Sequence, residues 1–309
     1  MTTSRVDVNG NEKLQRRGAW QSRMRRTAAV VFLLAALLPA CTTTPPRDAL
    51  DHRLRGDAVV LLGEVHDNAQ QHQLRLAALR RAFESGWRPA IAMEQFDREH
   101  QADIERARRE RPADAQHVIE LAAPSASRSG GGWNWAFYKP FVELALRYDV
   151  PLIAANLSNA DTARIARGGY AAVFSDAEIA ALGLDAPAAA EVQAAQEREI
   201  DLGHCHLLPR SMWPRMAQAQ FARDAVMADL LRRSARGGGV VLLAGNGHVR
   251  RDIGVPRRLG DVKDKAFAVG YLENTDDSTP VDAFDAVVRT PPAQRDDPCA
   301  ELEKRATKN

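Results

Sequence analysis

The sequence lacks the short motifs that identify several large classes of enzyme and binding protein. It contains no Walker motif, no GxSxG, no CxxC pair and no GxGxxG fingerprint with a following acidic residue. These absences argue against a P-loop nucleotide site, a serine-nucleophile hydrolase, a CxxC metal or redox site and an NAD site. No period of about 20–50 residues repeats, which argues against a solenoid.

Long apolar runs are also missing. The longest, residues 28–40, has 13 residues, and a transmembrane helix needs roughly 20. Hydrophobic residues make up 45% and charged residues 27% of the 309 residues, which excludes a disordered, collagen-like or polytopic membrane protein. The net charge is +2, with seven basic and two acidic residues in the first 40. The rest is slightly acidic, so we expect no nucleic-acid partner.

The first 40 residues have the pattern of an export signal. Arg23, Arg25 and Arg26 precede the apolar run, which ends in Leu38-Pro39-Ala40-Cys41. This pattern predicts a signal peptide over residues 1–40, and its end resembles a bacterial lipobox in which Cys41 is lipidated. The alternative is a simple cleaved secretory peptide with an incidental cysteine.

The same region bears on which methionine starts the chain and on which membrane would hold the lipid anchor. Either Met1 or Met24 could begin the chain, since the sequence from Met24 makes a more compact leader. Residues 41–56, which begin Cys41-Thr-Thr-Thr-Pro-Pro, read as a polar tether. Threonines after Cys41, in place of an aspartate, favour a lipid anchor in the bacterial outer membrane. The orientation, periplasmic or surface-facing, stays open.

Cys205 and Cys299 are the two cysteines that remain after Cys41. An exported chain enters an oxidising compartment, where two cysteines readily pair. We therefore predict a Cys205–Cys299 disulfide that attaches a C-terminal tail, residues 291–309, to the domain of residues 57–290. The alternative is two unpaired thiols.

Short, continuously apolar segments alternate with helical patterns from residue 57 onward. This alternation predicts an α/β fold with an open, mainly parallel sheet and helices on both faces. The predicted strands are residues 58–62, 89–93, 151–155, 240–244, 266–271 and 286–288.

Polar side chains follow four of these strands. Ligands bind outside the carboxyl ends of strands in open α/β sheets, so these side chains should meet at one edge. The set is Glu64, His66, Glu94, Asn156, Asn246 and His248. Two carboxylates and two imidazoles could bind a divalent metal or act as a general acid and base. The alternative for any one of them is a helix cap or an ordinary surface group.

Several blocks of the sequence resemble the ChaN-like haem-binding lipoprotein family. They are LLGEVHDN, ME, WNWAFYKP, IAAN, AQFARDAVMA and GNGH, and they cover roughly residues 57–275 in order. The wider superfamily includes the erythromycin esterases and the Tiki and TraB proteins. The resemblance implies an outer-membrane lipoprotein of haem and iron acquisition, with two stacked haems at a homodimer interface.

The resemblance also implies a tyrosine ligand for each haem iron, with a histidine contact from the other subunit. Phenolate ligation suits ferric haem. Tyr138, in WNWAFYKP, is the first candidate for this ligand and Tyr170 the second. The alternative for Tyr138 is a core position at helical spacing.

Three further residues are candidates for ligand binding. In the superfamily an Arg-Asp pair points at the pocket, which here would be Arg223 and Asp224, with the arginine clamping a carboxylate or propionate. His204 lies in GHCHLLP, whose His-x-His spacing suits a metal or a haem across a dimer. A surface ion pair and a polar disulfide loop are the respective alternatives.

The sequence therefore supports two hypotheses of different classes. The first is a lipid-anchored haem-binding protein of haem and iron acquisition. The second is an esterase or amidase, with or without a divalent metal, in which Glu64, His66, Glu94 and His248 activate water.

Overall fold

The fold is an open sheet of six parallel strands, as the sequence predicts. The computed structural model describes residues 46–56, 58–124, 132–297 and 299–300. The strands run in the order β3-β2-β4-β1-β5-β6, and every neighbouring pair is parallel. They are β1 Val59–Leu62, β2 Ala90–Asp97, β3 Leu152–Asn156, β4 Val240–Leu243, β5 Ala266–Glu273 and β6 Ala286–Thr290.

The α-helices connect the strands and cover both faces of the sheet. They are α1 Pro46–Arg53, α2 Ala69–Glu84, α3 Gln101–Glu110, α4 Ala115–Ala122, α5 Trp135–Arg147, α6 Asn159–Gly168, α7 Asp176–Ala181, α8 Ala190–Gly203, α9 Trp213–Ser234 and α10 Asn246–Val249. Side chains alternate across each strand, so Val60 and Leu62 join the core beneath α1, α2, α4 and α5. Val59 and Leu61 join the core beneath α9.

The strand order creates the crevice. The chain leaves β1 for β2 and β3 on one side, and then returns through β4 to β5 and β6 on the other. The carboxyl ends of β2, β4 and β1 therefore lie side by side at the point where the order reverses. Strand β2 is longer than predicted and ends at Asp97, with a register irregularity between Met93 and Asp97. Glu94 consequently lies within the strand and not after it.

A helix precedes the predicted start of the domain at residue 57. Residues 46–53 form helix α1, and Leu50 and Leu54 are buried in the core. These leucines pack with side chains of the sheet and of α2. The start of the predicted tether, the signal peptide, Met24 and Cys41 lie outside the described residues.

The predicted disulfide is confirmed: Cys205 and Cys299 are bonded across 94 positions of the chain. It attaches residues 299–300 to the connection between α8 and α9. Among the described residues, no helix has both the length and the apolar character to span a membrane.

Candidate functional site

A cleft of about 1140 Å³ opens at the carboxyl ends of the central strands. Four predicted residues, Glu64, His66, Glu94 and His248, line it. They arrive from the ends of β1 and β2 and from α10, because parallel strands place their carboxyl ends at one edge of the sheet. The cleft has a buried inner end around His248 and an outer part that includes His66.

The inner end is a histidine between two buried carboxylates. His248 Nδ1 lies 2.6 Å from Asp224 Oδ1, and its Nε2 lies 3.5 Å from Glu94 Oε1. Burial acts to lower the pKa of His248, but the charges of Glu94 and Asp224 outweigh it and raise the pKa to about 10. His248 is therefore an imidazolium at neutral pH, able to donate a proton and not to accept one.

The pKa values of the two carboxylates around His248 are shifted in opposite directions. Burial acts to raise the pKa of Glu94, but the charge and hydrogen bond of His248 hold it well below its usual range. The Gly245 N–H donates to Glu94 Oε2 at 2.8 Å, which stabilises the ionised form. Burial raises the pKa of Asp224, although His248 opposes this. Asp224 thus holds the ring, and Glu94 presents a fixed negative charge.

His66 stands at the outer part with half of its side chain exposed, at 50%. Its Nδ1 lies 2.9 Å from Glu64 Oε1, and its ring meets the Trp133 indole edge-on at 4.7 Å between centroids. Gly245 leaves room for this ring, because a Cβ there would lie 2.9 Å from His66 Cε1. The close approach of the His66 ring therefore explains why position 245 is a glycine.

A buried network beneath His66 holds Glu64. The Arg75 guanidinium contacts Glu64 Oε2 and donates to the Leu62 carbonyl at 3.1 Å. Burial lowers the pKa of Arg75 to about 10, which still leaves it charged at neutral pH. The sequence analysis missed Arg75. Its signal was its position on α2, on the same stripe as the buried Ala78 and Leu79.

The neighbouring His72 is buried and neutral in character. Its Nδ1 lies 3.0 Å from Arg75 Nη2, and its Nε2 lies 2.9 Å from the His66 carbonyl. Since Arg75 can only donate, Nδ1 accepts and Nε2–H donates. Burial lowers the pKa of His72, and its ring stacks on Phe137.

Tyr138 belongs to the same network. Its side chain is fully buried, and its hydroxyl donates to Glu64 Oε1 at 2.7 Å. Burial raises the pKa of Tyr138, although the Arg75 charge opposes this. Tyr138 also lines the cleft, and its role as an axial ligand stays a prediction. In the structure its hydroxyl fixes the carboxylate that contacts His66.

The other predicted residues divide between the cleft and the body of the protein. Arg223 lines the cleft, and its guanidinium donates to Asn156 Oδ1 at 2.5 Å and Asn159 Oδ1 at 2.7 Å. Asn246 also lines the cleft, and it holds β5: its amide nitrogen donates to the Tyr271 carbonyl and its oxygen accepts from the Tyr271 N–H. Both amide atoms are used internally, which suits a structural role.

Tyr170 and His204 lie outside the main cleft. Tyr170 packs against the apolar cluster of α6, α8 and α9, and burial raises its pKa. His204 Nδ1 bonds the Ile200 carbonyl at 2.6 Å. It lines a neighbouring cavity of about 210 Å³ that reaches His248 from behind. Among the described residues, no group of three or more His, Cys, Asp or Glu has a metal-binding arrangement.

Comparisons with known proteins agree on the fold. The family model described as "Haem-binding uptake, Tiki superfamily, ChaN" matches residues 50–259. The solved structure described as cofacial haem binding to ChaN of Campylobacter jejuni has a TM-score of 0.58 and 22% identity, covering 73% of this chain and 85% of that chain.

Two more distant structures have lower scores. The type III effector HopBA1 has a TM-score of 0.43 and 12% identity, covering 81% of this chain and 94% of that chain. An erythromycin esterase in its open conformation has a TM-score of 0.43 and 15% identity, covering 73% and 72%. No curated protein sequence matches this chain significantly.

Proposed function

Because the chain belongs to the ChaN haem-binding uptake family of the Tiki superfamily, we propose that its cleft binds haem, with His66 as the ligand of the iron. One observation carries this proposal. His66 offers Nε2 to the cleft while its Nδ1 lies against the Glu64 carboxylate. Metal-binding histidines characteristically have such a carboxylate partner, which fixes the tautomer and strengthens the ligand.

The rest of the cleft fits a porphyrin with acidic side chains. The volume of about 1140 Å³ exceeds that of an ordinary small-molecule pocket, roughly 300–1,000 Å³. Trp133 supplies an aromatic surface beside His66. Arg223 lines the same cleft, and guanidinium groups bind carboxylates well. Bound haem would supply redox-active, ligand-accepting iron, and these residues would hold it in the cleft.

The proposal includes the cellular setting. A lipid on Cys41 would anchor the protein in the outer membrane, periplasmic or surface-facing, where it takes part in iron acquisition. Pairing of two copies would shield the exposed haem faces from water. Metabolic labelling with a lipid precursor tests the anchor, and Cys41→Ala should abolish the label. Unchanged labelling of that variant would contradict lipidation at Cys41.

A haemin titration of the chain from Thr42 onward tests haem binding. We expect a saturable Soret band, with dimerisation followed by sedimentation. His66→Ala should weaken binding at least about tenfold, as expected for the loss of a ligand or its outer-shell partner. Tyr138→Phe should retain the spectrum, because its hydroxyl contacts Glu64. The absence of a saturable band in the wild type would refute the proposal.

Hydrolysis of an ester or amide is the second candidate, and the inner end of the cleft favours it. His248 is positively charged between Glu94 and Asp224, so it could protonate a leaving group while His66 or Glu94 accepts a proton from water. Ester turnover by the chain, lost in His248→Gln, would support this function. Turnover that persists in this variant would contradict it.

A further inference from the structure

The residues after β6 run beside the turn that carries His66. We call residues 291–297 and 299–300 the C-terminal strap. They lie beyond residues 50–259, which match the family. The Pro291 carbonyl accepts from Asn68 Nδ2 at 2.9 Å, and the Ala293 N–H donates to Glu273 Oε1 at 2.8 Å. The strap reaches Cys299, which is bonded to Cys205.

Arg295 is the centre of the strap. Its guanidinium donates to both carboxylate oxygens of Asp67, at 2.6 and 2.8 Å, and to both of Glu273, at 3.0 and 2.6 Å. Asp67 directly follows His66, whereas Glu273 ends β5. The side chain of Glu273 is 7% exposed, and that of Arg295 is 31% exposed. Arg295 therefore joins the turn to the sheet through a largely buried carboxylate.

Glu273 also holds the start of α2. Asn68 caps that helix by accepting from the Gln71 N–H at 3.2 Å, and its amide donates to Glu273 Oε1 at 2.8 Å. Gln71 in turn accepts from the Val65 N–H at 2.7 Å. Without Arg295, Glu273 would be a buried charge without its cation. Such charges are costly, so the cap and the turn would loosen together.

We propose that the strap is a positioning element for His66 and that the Cys205–Cys299 disulfide keeps it in place. Exposed ion pairs such as Arg295–Asp67 hold a chain end only weakly on their own, whereas a disulfide keeps Arg295 beside Asp67. The inference rests on the proposed function, since it assigns a regulator to ligand binding at His66.

Reduction would release the strap by thiol–disulfide exchange. A dithiol attacks one sulfur of the disulfide, and its second thiol resolves the mixed disulfide. Cys205 and Cys299 become thiols, and the dithiol becomes a disulfide. The protein would then lose ligand under reducing conditions and retain it under oxidising ones.

Hydrogen exchange of the ligand-free full chain tests the strap without relying on haem. The variants are Arg295→Ala and the double Cys205→Ser/Cys299→Ser. The amides of residues 63–72 should exchange about tenfold faster in both, since local opening controls their exchange. Arg81→Ala is the matched control. Arg81 makes a similar two-bond pair with Asp51, at 3.2 and 2.9 Å, at the other end of α2.

Haemin affinity and the ferric absorption spectrum are measured on the same samples. Arg295→Ala and the double Cys205→Ser/Cys299→Ser should each weaken haemin binding about threefold to tenfold and alter the spectrum. Arg295→Lys should restore part of the affinity, and Arg81→Ala should change neither. Unchanged exchange over residues 63–72 in Arg295→Ala overturns the strap proposal. If exchange is faster in Arg295→Ala but the wild type does not bind haemin, the haem function alone is overturned.

Discussion

The charge of His248 gives the sharpest prediction. Asp224→Asn should lower the pKa of His248 from about 10, because one of its two carboxylates loses its charge. Unit charges about 4 Å apart interact by about 4 kcal/mol at an effective dielectric of about 20, equivalent to about 3 pKa units. Asparagine still accepts the Nδ1–H hydrogen bond, so we expect the pKa to fall by about 2–3 units.

The same histidine makes stability depend on pH. The pKa of His248 is about 10 in the folded protein, against 6.5 for an ordinary histidine. Its contribution is therefore fully present below pH 6.5 and disappears as pH rises to about 10, a loss of about 5 kcal/mol. In Asp224→Asn the loss should end near pH 7–8, by the same reasoning. Glu94, with a lowered pKa, contributes above its ordinary pKa and loses this contribution at acidic pH.

An NMR titration of the histidine Cε1–H signals measures these values directly, and denaturant unfolding at several pH values measures the stability. The signal of His117, which pairs with Glu110 on another part of the surface, should not respond to the substitution. A wild-type His248 that titrates near pH 6.5 would refute the reasoning. So would a midpoint that Asp224→Asn leaves unchanged.

Two other substitutions separate packing from chemistry. Gly245→Ala should displace the His66 ring, because the added Cβ would lie 2.9 Å from His66 Cε1. Haemin binding should weaken at least about tenfold. The control is Gly247→Ala, where nothing lies within 4 Å of an added Cβ, and this variant should bind haemin as the wild type does. Equal affinities in haemin titrations would show that His66 does not need that space. Tyr138→Phe removes the donor to Glu64 and should lower the free energy of unfolding by about 1.5–3 kcal/mol. A denaturation midpoint equal to that of the wild type would contradict the hydrogen bond.

Strand ends were predictable from the sequence because they depend on local pattern. Apolar runs such as Val59–Leu62 have few alternatives to a buried strand, and parallel strands place their carboxyl ends at one edge. That Glu64, His66 and His248 lie in one cleft could therefore be predicted without any knowledge of the packing. The disulfide was predictable for a different reason: once export was expected, the two cysteines that remain after Cys41 allowed one pairing.

The orientation of side chains was not predictable from the same pattern. Tyr138 and Asn246 depend on segments that are distant in sequence: Tyr138 meets Glu64, and Asn246 meets the backbone of Tyr271. Helical spacing places Tyr138 on a buried face but does not predict which polar group its hydroxyl contacts. Arg75 runs against the preference of charged residues for the surface, and its contacts with Glu64, the Leu62 carbonyl and His72 explain its burial.

The two candidate functions compete for the same space. A Cβ at Gly245 would lie 2.9 Å from His66 Cε1 and 3.8 Å from Glu94 Oε2, so the ring and the carboxylate flank one glycine. A ligand on His66 would therefore lie beside Glu94 and block the route through the main cleft to the inner end. Hydrolysis with the ligand bound would then depend on the smaller cavity that reaches His248 from the other side. The charge of Glu94, strongly held by His248, would instead face the ligand and favour a cationic centre over a neutral one.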